Sequence, residues 1–177
     1  VGQILHPSSI LRHPRMAGAD GPPTVQQPGL LREVSDGLGN RTSLSYLPLS
    51  QLPDYEVSGN SPAQARPVRG GSLPILTRLQ SNEGYELHYR YGGGRRDALG
   101  RGFLGFGTVR VQDSRSGLET TSEFRQDFPY IGRIGRVTTS GQQSIVSVRE
   151  SSWESASTPV PDPAGQLHFV HLSGEVE

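Results

Sequence analysis

From Leu30 onward, apolar and polar residues alternate with period two, and no window of a dozen residues carries a 3.6-residue apolar repeat. That pattern predicts an all-β chain of antiparallel hairpins in a meander, with very little helix. The first hairpin places Leu30, Arg32 and Val34 on one face; after Asp36-Gly37-Leu38-Gly39-Asn40, it sets Thr42, Leu44 and Tyr46 against Arg41, Ser43 and Ser45. Asp, Gly and Asn supply the left-handed positions a tight reversal needs. A second hairpin runs from Leu73 to Gln80, turns at Ser81-Asn82-Glu83-Gly84, and returns with Tyr85, Leu87, Tyr89 and Tyr91 alternating with Glu86, His88 and Arg90. An aromatic row on one strand face marks a buried or stacked side. The third hairpin pairs 108–112 with 118–126 around Asp113-Ser114-Arg115-Ser116-Gly117. The fourth pairs 134–140 with 144–153 around Gly141-Gln142. A short terminal strand covers 167–172.

Between these strands the chain holds 23 glycines and 14 prolines, which predicts many turns and irregular connections. Residues 1–29 read as a proline-rich connecting arm, in which Ile4-Leu5 and Ile10-Leu11 could anchor on a neighbouring surface. Residues 30–153 form the hairpin region, interrupted by a long loop over 48–72, and residues 154–177 form a proline-rich linker plus the last strand. A loop as long as 48–72 is functional, disordered, or packed on something outside the chain. Gly92-Gly93-Gly94-Arg95-Arg96-Asp97 reads as a flexible crossing. Asp-x-x-Gly recurs at Asp36 and Asp97, with Asp113 to Gly117 a one-residue variant, so each turn pairs an Asp acceptor with a positive-φ glycine. Repeated strand-turn-strand units of this kind stack into a larger sheet.

The charge balance, 17 basic against 17 acidic residues, gives no basic footprint for nucleic acid or an anionic membrane. All the basic residues are Arg, in keeping with coding bias rather than a function. Without cysteine there is no disulfide framework and no thiolate metal site. No window approaches the length of apolar sequence a membrane helix needs. The start at Val1-Gly2-Gln3 suggests a piece of a longer polypeptide.

Gly100-Arg101-Gly102-Phe103-Leu104-Gly105-Phe106 is the motif that most needs interpretation. Gly100, Gly102 and Gly105 match a Gly-x-Gly-x-x-Gly phosphate fingerprint, but that chemistry requires a helix N-terminus directly after the glycines. The residues that follow alternate as a strand, so the glycines read as bends and Phe103, Leu104 and Phe106 as core, with no cofactor expected. His168 and His171 point to opposite faces of a strand and lack further ligands, so no metal is expected. Asp36-Gly37-Leu38-Gly39-Asn40 lacks the further oxygens of a calcium loop and reads as a turn. Glu119, Glu123 and Asp127 share one strand face opposite Phe124 and Phe128, with Arg125 beside them, which fits an Arg-paired surface better than acid and base catalysis. No nucleophile elbow is present. Tyr89 and Trp153 are the candidates for stacking on a ligand such as a sugar ring, against a core-packing alternative for each.

Leu99 to Phe106, followed by Val111-Gln112-Asp113-Ser114-Arg115-Ser116-Gly117 and by Phe124-Arg125-Gln126-Asp127-Phe128-Pro129-Tyr130-Ile131-Gly132, resembles the RHS/YD-repeat family. More narrowly, it resembles the B components of bacterial Tc insecticidal toxin complexes and related virulence proteins. Leu30 to Thr42 resembles the same strand-and-turn unit, although Asp-Gly-Leu-Gly-Asn replaces the commoner Tyr-Asp signature. The resemblance covers about 30 to 153. It implies a section of a hollow shell wall that encloses a cytotoxic cargo, secreted or on the bacterial surface. In that setting Gly100, Gly102, Phe103, Gly105, Phe106, Asp113, Gly117 and Asp127 are architectural, and the partners are other segments or subunits of the toxin complex. No catalytic residue carries over. The alternative is a β module that binds carbohydrate or protein.

Overall fold

The computed structural model describes residues 29–57, 65–142, 144–159 and 166–177. The expected arm therefore lies outside the described residues except for Gly29, as does the stretch 160–165. Eleven strands follow in order: β1 (Glu33–Ser35), β2 (Arg41–Pro48), β3 (Ala65–Pro67), β4 (Pro74–Ser81), β5 (Glu86–Gly92), β6 (Arg95–Asp97), β7 (Thr108–Asp113), β8 (Glu119–Phe124), β9 (Ile134–Ser140), β10 (Ile145–Pro159) and β11 (Gln166–Val176). The one helical element among the described residues is a 3-10 turn at Leu49–Gln51. Nine strands form a single antiparallel sheet in the order β1-β2-β4-β5-β7-β8-β9-β10-β11, while β3 and β6 leave it to form a separate pair. The chain is all-β.

The hairpin turns work by the chemistry their residues carry. At the first, Asp36 Oδ1 accepts the N–H groups of Leu38 (2.7 Å) and Asn40 (3.1 Å). At the third, Asp113 Oδ1 accepts the N–H of Arg115 (2.8 Å), and Gly117, at φ 70°, donates back to the Asp113 carbonyl at 2.9 Å. Local side-chain acceptors of this kind satisfy backbone donors that a reversal leaves without ladder partners.

Register then sorts the side chains of the sheet. Leu44 lies opposite Leu79, and Leu79 opposite Leu87. Tyr89 pairs with Val111, Val111 with Thr120 and Thr120 with Thr139; Tyr91 pairs with Val109, Val109 with Ser122 and Ser122 with Val137. These rows make one face free of charge from β4 to β9 except for Asp113 opposite Leu87 at the turn end of β7, apolar toward β4 and hydroxyl-rich toward β9. The opposite face carries Arg78, Glu86, His88, Arg90, Arg110, Glu119, Glu123, Arg136 and Glu150. On it Arg78 forks onto the Glu86 carboxylate, Arg90 lies 3.6 Å from Glu119, and Arg136 lies 3.7 Å from Glu150. The uncharged face is half-buried, and Phe106, with Tyr55 and Phe103 around it, packs on it at Tyr91. The fully buried apolar set is correspondingly small: Leu49, Ala65, Ile75 and Leu104.

Two expectations change. The stretch 48–72 is not simply a loop, since its described part contributes the 3-10 turn, β3 and the buried Leu49 and Ala65 to this chain's own core. Gly92 to Asp97 is not a flexible crossing either: Gly92, Gly93 and Gly94 are buried, and β6 pairs with β3. Both stretches pack because each offers what the other lacks, apolar side chains on one side and backbone without side chains on the other.

Candidate functional site

The glycine motif is the returning arm of a tight reversal whose outgoing arm is β6. The Asp97 N–H donates to the Gly102 carbonyl (2.8 Å), the Leu104 N–H to the Arg95 carbonyl (2.8 Å), and the Arg95 N–H to the Gly105 carbonyl (3.2 Å). Gly100, Gly102 and Gly105 adopt φ of 101°, 86° and 86°, a region that residues with a Cβ enter only at a cost. No helix opens after them. Strand β7 follows at Thr108, so the oriented N–H groups of a phosphate cradle are not provided here.

A compact knot forms around this reversal. Phe106 packs at 4.7 Å from the Tyr91 ring, 5.4 Å from Phe103 and 6.2 Å from Tyr55, the last two edge-on. The Tyr55 hydroxyl donates to the Val68 carbonyl (2.7 Å) and accepts the Gly94 N–H (3.0 Å). A Cβ at Gly94 would stand 2.5 Å from that hydroxyl and 3.3 Å from Phe106, so only glycine lets the two rings close over the backbone. Tyr91 donates its hydroxyl to the Leu76 carbonyl, and burial, followed by the neighbouring Tyr89 and Tyr46, pushes its pKa up to about 12. Leu104 is buried and Phe106 half-buried, whereas Phe103, expected in the core, is 41% exposed and lies on the outer edge of the knot. With Leu104 and Phe106 facing inward, the Gly102 bend turns Phe103 out.

Gln126 locks the knot to the sheet. Its Nε2 donates to both the Gly93 and Gly105 carbonyls at 2.8 Å, joining the end of β8, the β5–β6 crossing and the glycine reversal. Sequence reasoning missed this residue, as it missed Tyr55 and Gly94. The signal for Gln126 was its place between Phe124 and Phe128 on the apolar side of an alternating run, where a polar side chain needs buried partners.

Beside the knot lies a cavity of about 230 Å³, walled by Leu104, Phe128 and Ile131 and bounded by Asp97, Arg101 and Asp127. Burial works against the charge of Asp97. The backbone N–H groups of Arg101 and Leu99 and the Arg101 guanidinium (3.1 Å) outweigh it and hold the carboxyl below the usual carboxylate range. Asp127 is lowered too, first by its forked bond from Arg125, with Nε–Oδ1 at 3.0 Å and Nη2–Oδ2 at 2.5 Å. Three guanidinium groups lie over aromatic rings along this edge: Arg101 over Phe128 (4.4 Å), Arg125 over Tyr130 (3.9 Å) and Arg133 over Trp153 (5.1 Å).

The two ligand-stacking candidates do not meet. Tyr89 is half-buried on β5, Trp153 lies on β10, and β7, β8 and β9 run between them. Trp153 donates its indole N–H to the Ile134 carbonyl (2.7 Å) beneath Arg133. Of the carboxylates considered for acid and base work, Glu119 faces Arg90 and Asp127 is forked by Arg125. His168 meets the Phe128 ring edge-on at 5.0 Å, while His171 lies 3.9 Å from Glu154. Among the described residues, no cluster of three or more metal-ligating side chains forms.

Comparison with known protein families matches residues 9–130 to the insecticide toxin TcdB middle/N-terminal region. The chain belongs to that family. The TcdB-type match spans the first three hairpins and the whole glycine knot and ends at Tyr130, so β9, β10 and β11 lie beyond it. No curated protein matches the chain. No helix among the described residues is long and apolar enough to cross a membrane.

Proposed function

We propose that the chain is a non-enzymatic structural segment of an insecticidal toxin component. It acts as a stretch of shell wall of the RHS/YD-repeat type in a bacterial protein that is secreted or held at the cell surface. The observation that carries this reading is the asymmetric sheet: one face laced with ion pairs, the other without charge from Leu44 and Leu79 through Tyr89 and Val111 to Val137 and only half-buried, with Phe106 packing on it at Tyr91. A contiguous half-exposed patch such as its apolar part, Leu44, Leu79, Leu87, Tyr89 and Val111, marks a surface on which another segment packs. In a wall, the partner is another segment or subunit of the toxin complex. The reading assigns no catalytic residue and no cofactor.

The test places Leu87→Lys and Val111→Lys together in the full toxin component and compares them with Arg110→Ala on the opposite face. The lysines are expected to abolish assembly while circular dichroism of the isolated chain keeps its strand signature, and Arg110→Ala is expected to leave assembly intact. Normal assembly of the double lysine variant would sink the proposal.

A further inference from the structure

We infer that the cavity beside the glycine knot is a binding site for a single neutral sugar ring, a role separate from the wall function and independent of it. The space of about 230 Å³ matches one pyranose and is too small for a folded peptide element. Its lining is divided in chemistry. Leu104, Ile131 and the exposed Phe128 give an apolar wall against which the C–H face of a sugar can lie. Asp97, Arg101 and Asp127 give acceptors and a donor around the same space.

Charge decides between ligand classes. Each carboxylate is already held by an arginine, Asp97 by Arg101 and Asp127 by Arg125, so the lining presents no unbalanced charge to a cation or an anion. Both carboxylates keep free lone pairs, and the Arg101 guanidinium, with one N–H group on Asp97, keeps donors to spare. A hydroxyl both donates and accepts, so a ring carrying several hydroxyls satisfies such a mixed, neutral lining, while an ammonium or a carboxylate satisfies half of it. The Arg101–Phe128 stack and the His168 edge contact hold the aromatic wall in place before any ligand arrives.

The test is a chemical-shift titration of the isotope-labelled 177-residue chain. The probes are the methyl glycosides of glucose, galactose and mannose, together with N-acetylglucosamine, arginine amide and acetate. At least one neutral sugar is expected to shift the Leu104 and Ile131 amides saturably, with a Kd on the order of millimolar for so few ligand atoms. Ile131→Trp, which fills the space, and Arg101→Gln, on its exposed rim, are each expected to weaken binding about tenfold, the size of one lost hydrogen bond or contact. Trp153→Ala and Tyr89→Ala are expected to leave it unchanged. Should Ile131→Trp misfold, Arg101→Gln alone decides. The inference is overturned if no sugar shifts these amides, if arginine amide or acetate binds there more tightly than any sugar, or if binding survives Arg101→Gln undiminished.

Discussion

Around Tyr55, Gly94, Leu104 and Gln126, segments far apart in sequence close on one another and bury side chains, whereas β10 and β11 run side by side as a ribbon whose Phe169 and Leu172 face water. The knot is held by side-chain packing and by polar side chains, Tyr55 and Gln126, that each join two segments. The ribbon is held by its backbone ladder, by Trp153 on Ile134, and by His168 on Phe128. The contrast teaches that uniform strand content conceals an uneven distribution of stability. Replacement of one side chain can unmake the knot, while the same replacement in the ribbon leaves the ladder in place.

The largest expected effect breaks that comparison open. Leu104, at 6% exposure in the knot, is buried, so Leu104→Ala is expected to cost about 2–5 kcal/mol in equilibrium denaturation. Phe169→Ala, at 57% exposure, is expected to stay within about 0.5 kcal/mol. Equal losses at the two positions would mean that the ribbon is as tightly packed as the knot.

Next in size is Gln126→Leu. The change removes the donor shared by the Gly93 and Gly105 carbonyls, which keep the Gly107 and Arg95 N–H groups, at about 0.5–1.5 kcal/mol for each hydrogen bond lost. Hydrogen exchange at Gly94 and Leu104 is expected to accelerate while exchange in β8 and β9 holds. Acceleration spread evenly over the sheet would show that knot and sheet open as one unit.

Most of the sheet was legible because alternation survives wherever strands have one uncharged and one charged face, as in Tyr89-Arg90-Tyr91 or Val109-Arg110-Val111. The turns were legible because Asp36 and Asp113 act through neighbours in sequence. The knot was not. Tyr55 reaches Gly94 across the chain, and Gln126 reaches Gly93 and Gly105, so no local pattern encodes either meeting. Phe103 was misplaced for the same reason, since the apolar character of Phe103-Leu104 does not say which of two adjacent residues a glycine bend will turn outward.

Acid separates the two regions in a different way. Asp97 and Asp127 border the knot, and both have folded-state pKa values below the ordinary carboxylate value. A depressed folded pKa means that the unfolded chain binds more protons on acidification, so this stabilisation is present above the unfolded value of about 3.9 and is lost as pH falls through the folded value. The Leu104 amide is therefore expected to lose exchange protection below about pH 4, and Asp97→Asn is expected to flatten that dependence. Asp97 and Asp127 both lie outside the ribbon, so ribbon amides that lose protection in step with Leu104 would contradict the separation.

The smallest effect tests the charged face of the sheet. Arg90 and Glu119 lie 3.6 Å apart with both side chains partly open to solvent, and ion pairs of this kind gain little because water screens them and side-chain ordering opposes them. A double-mutant cycle with Arg90→Ala and Glu119→Ala is expected to return a coupling of about 0.2–1 kcal/mol that shrinks on adding salt. If the coupling instead exceeds about 2 kcal/mol, the face is dry in solution and something covers it. A small, salt-sensitive value leaves the charged face as the wet side of the sheet, and burial by a partner then falls to the face that carries Leu87 and Val111.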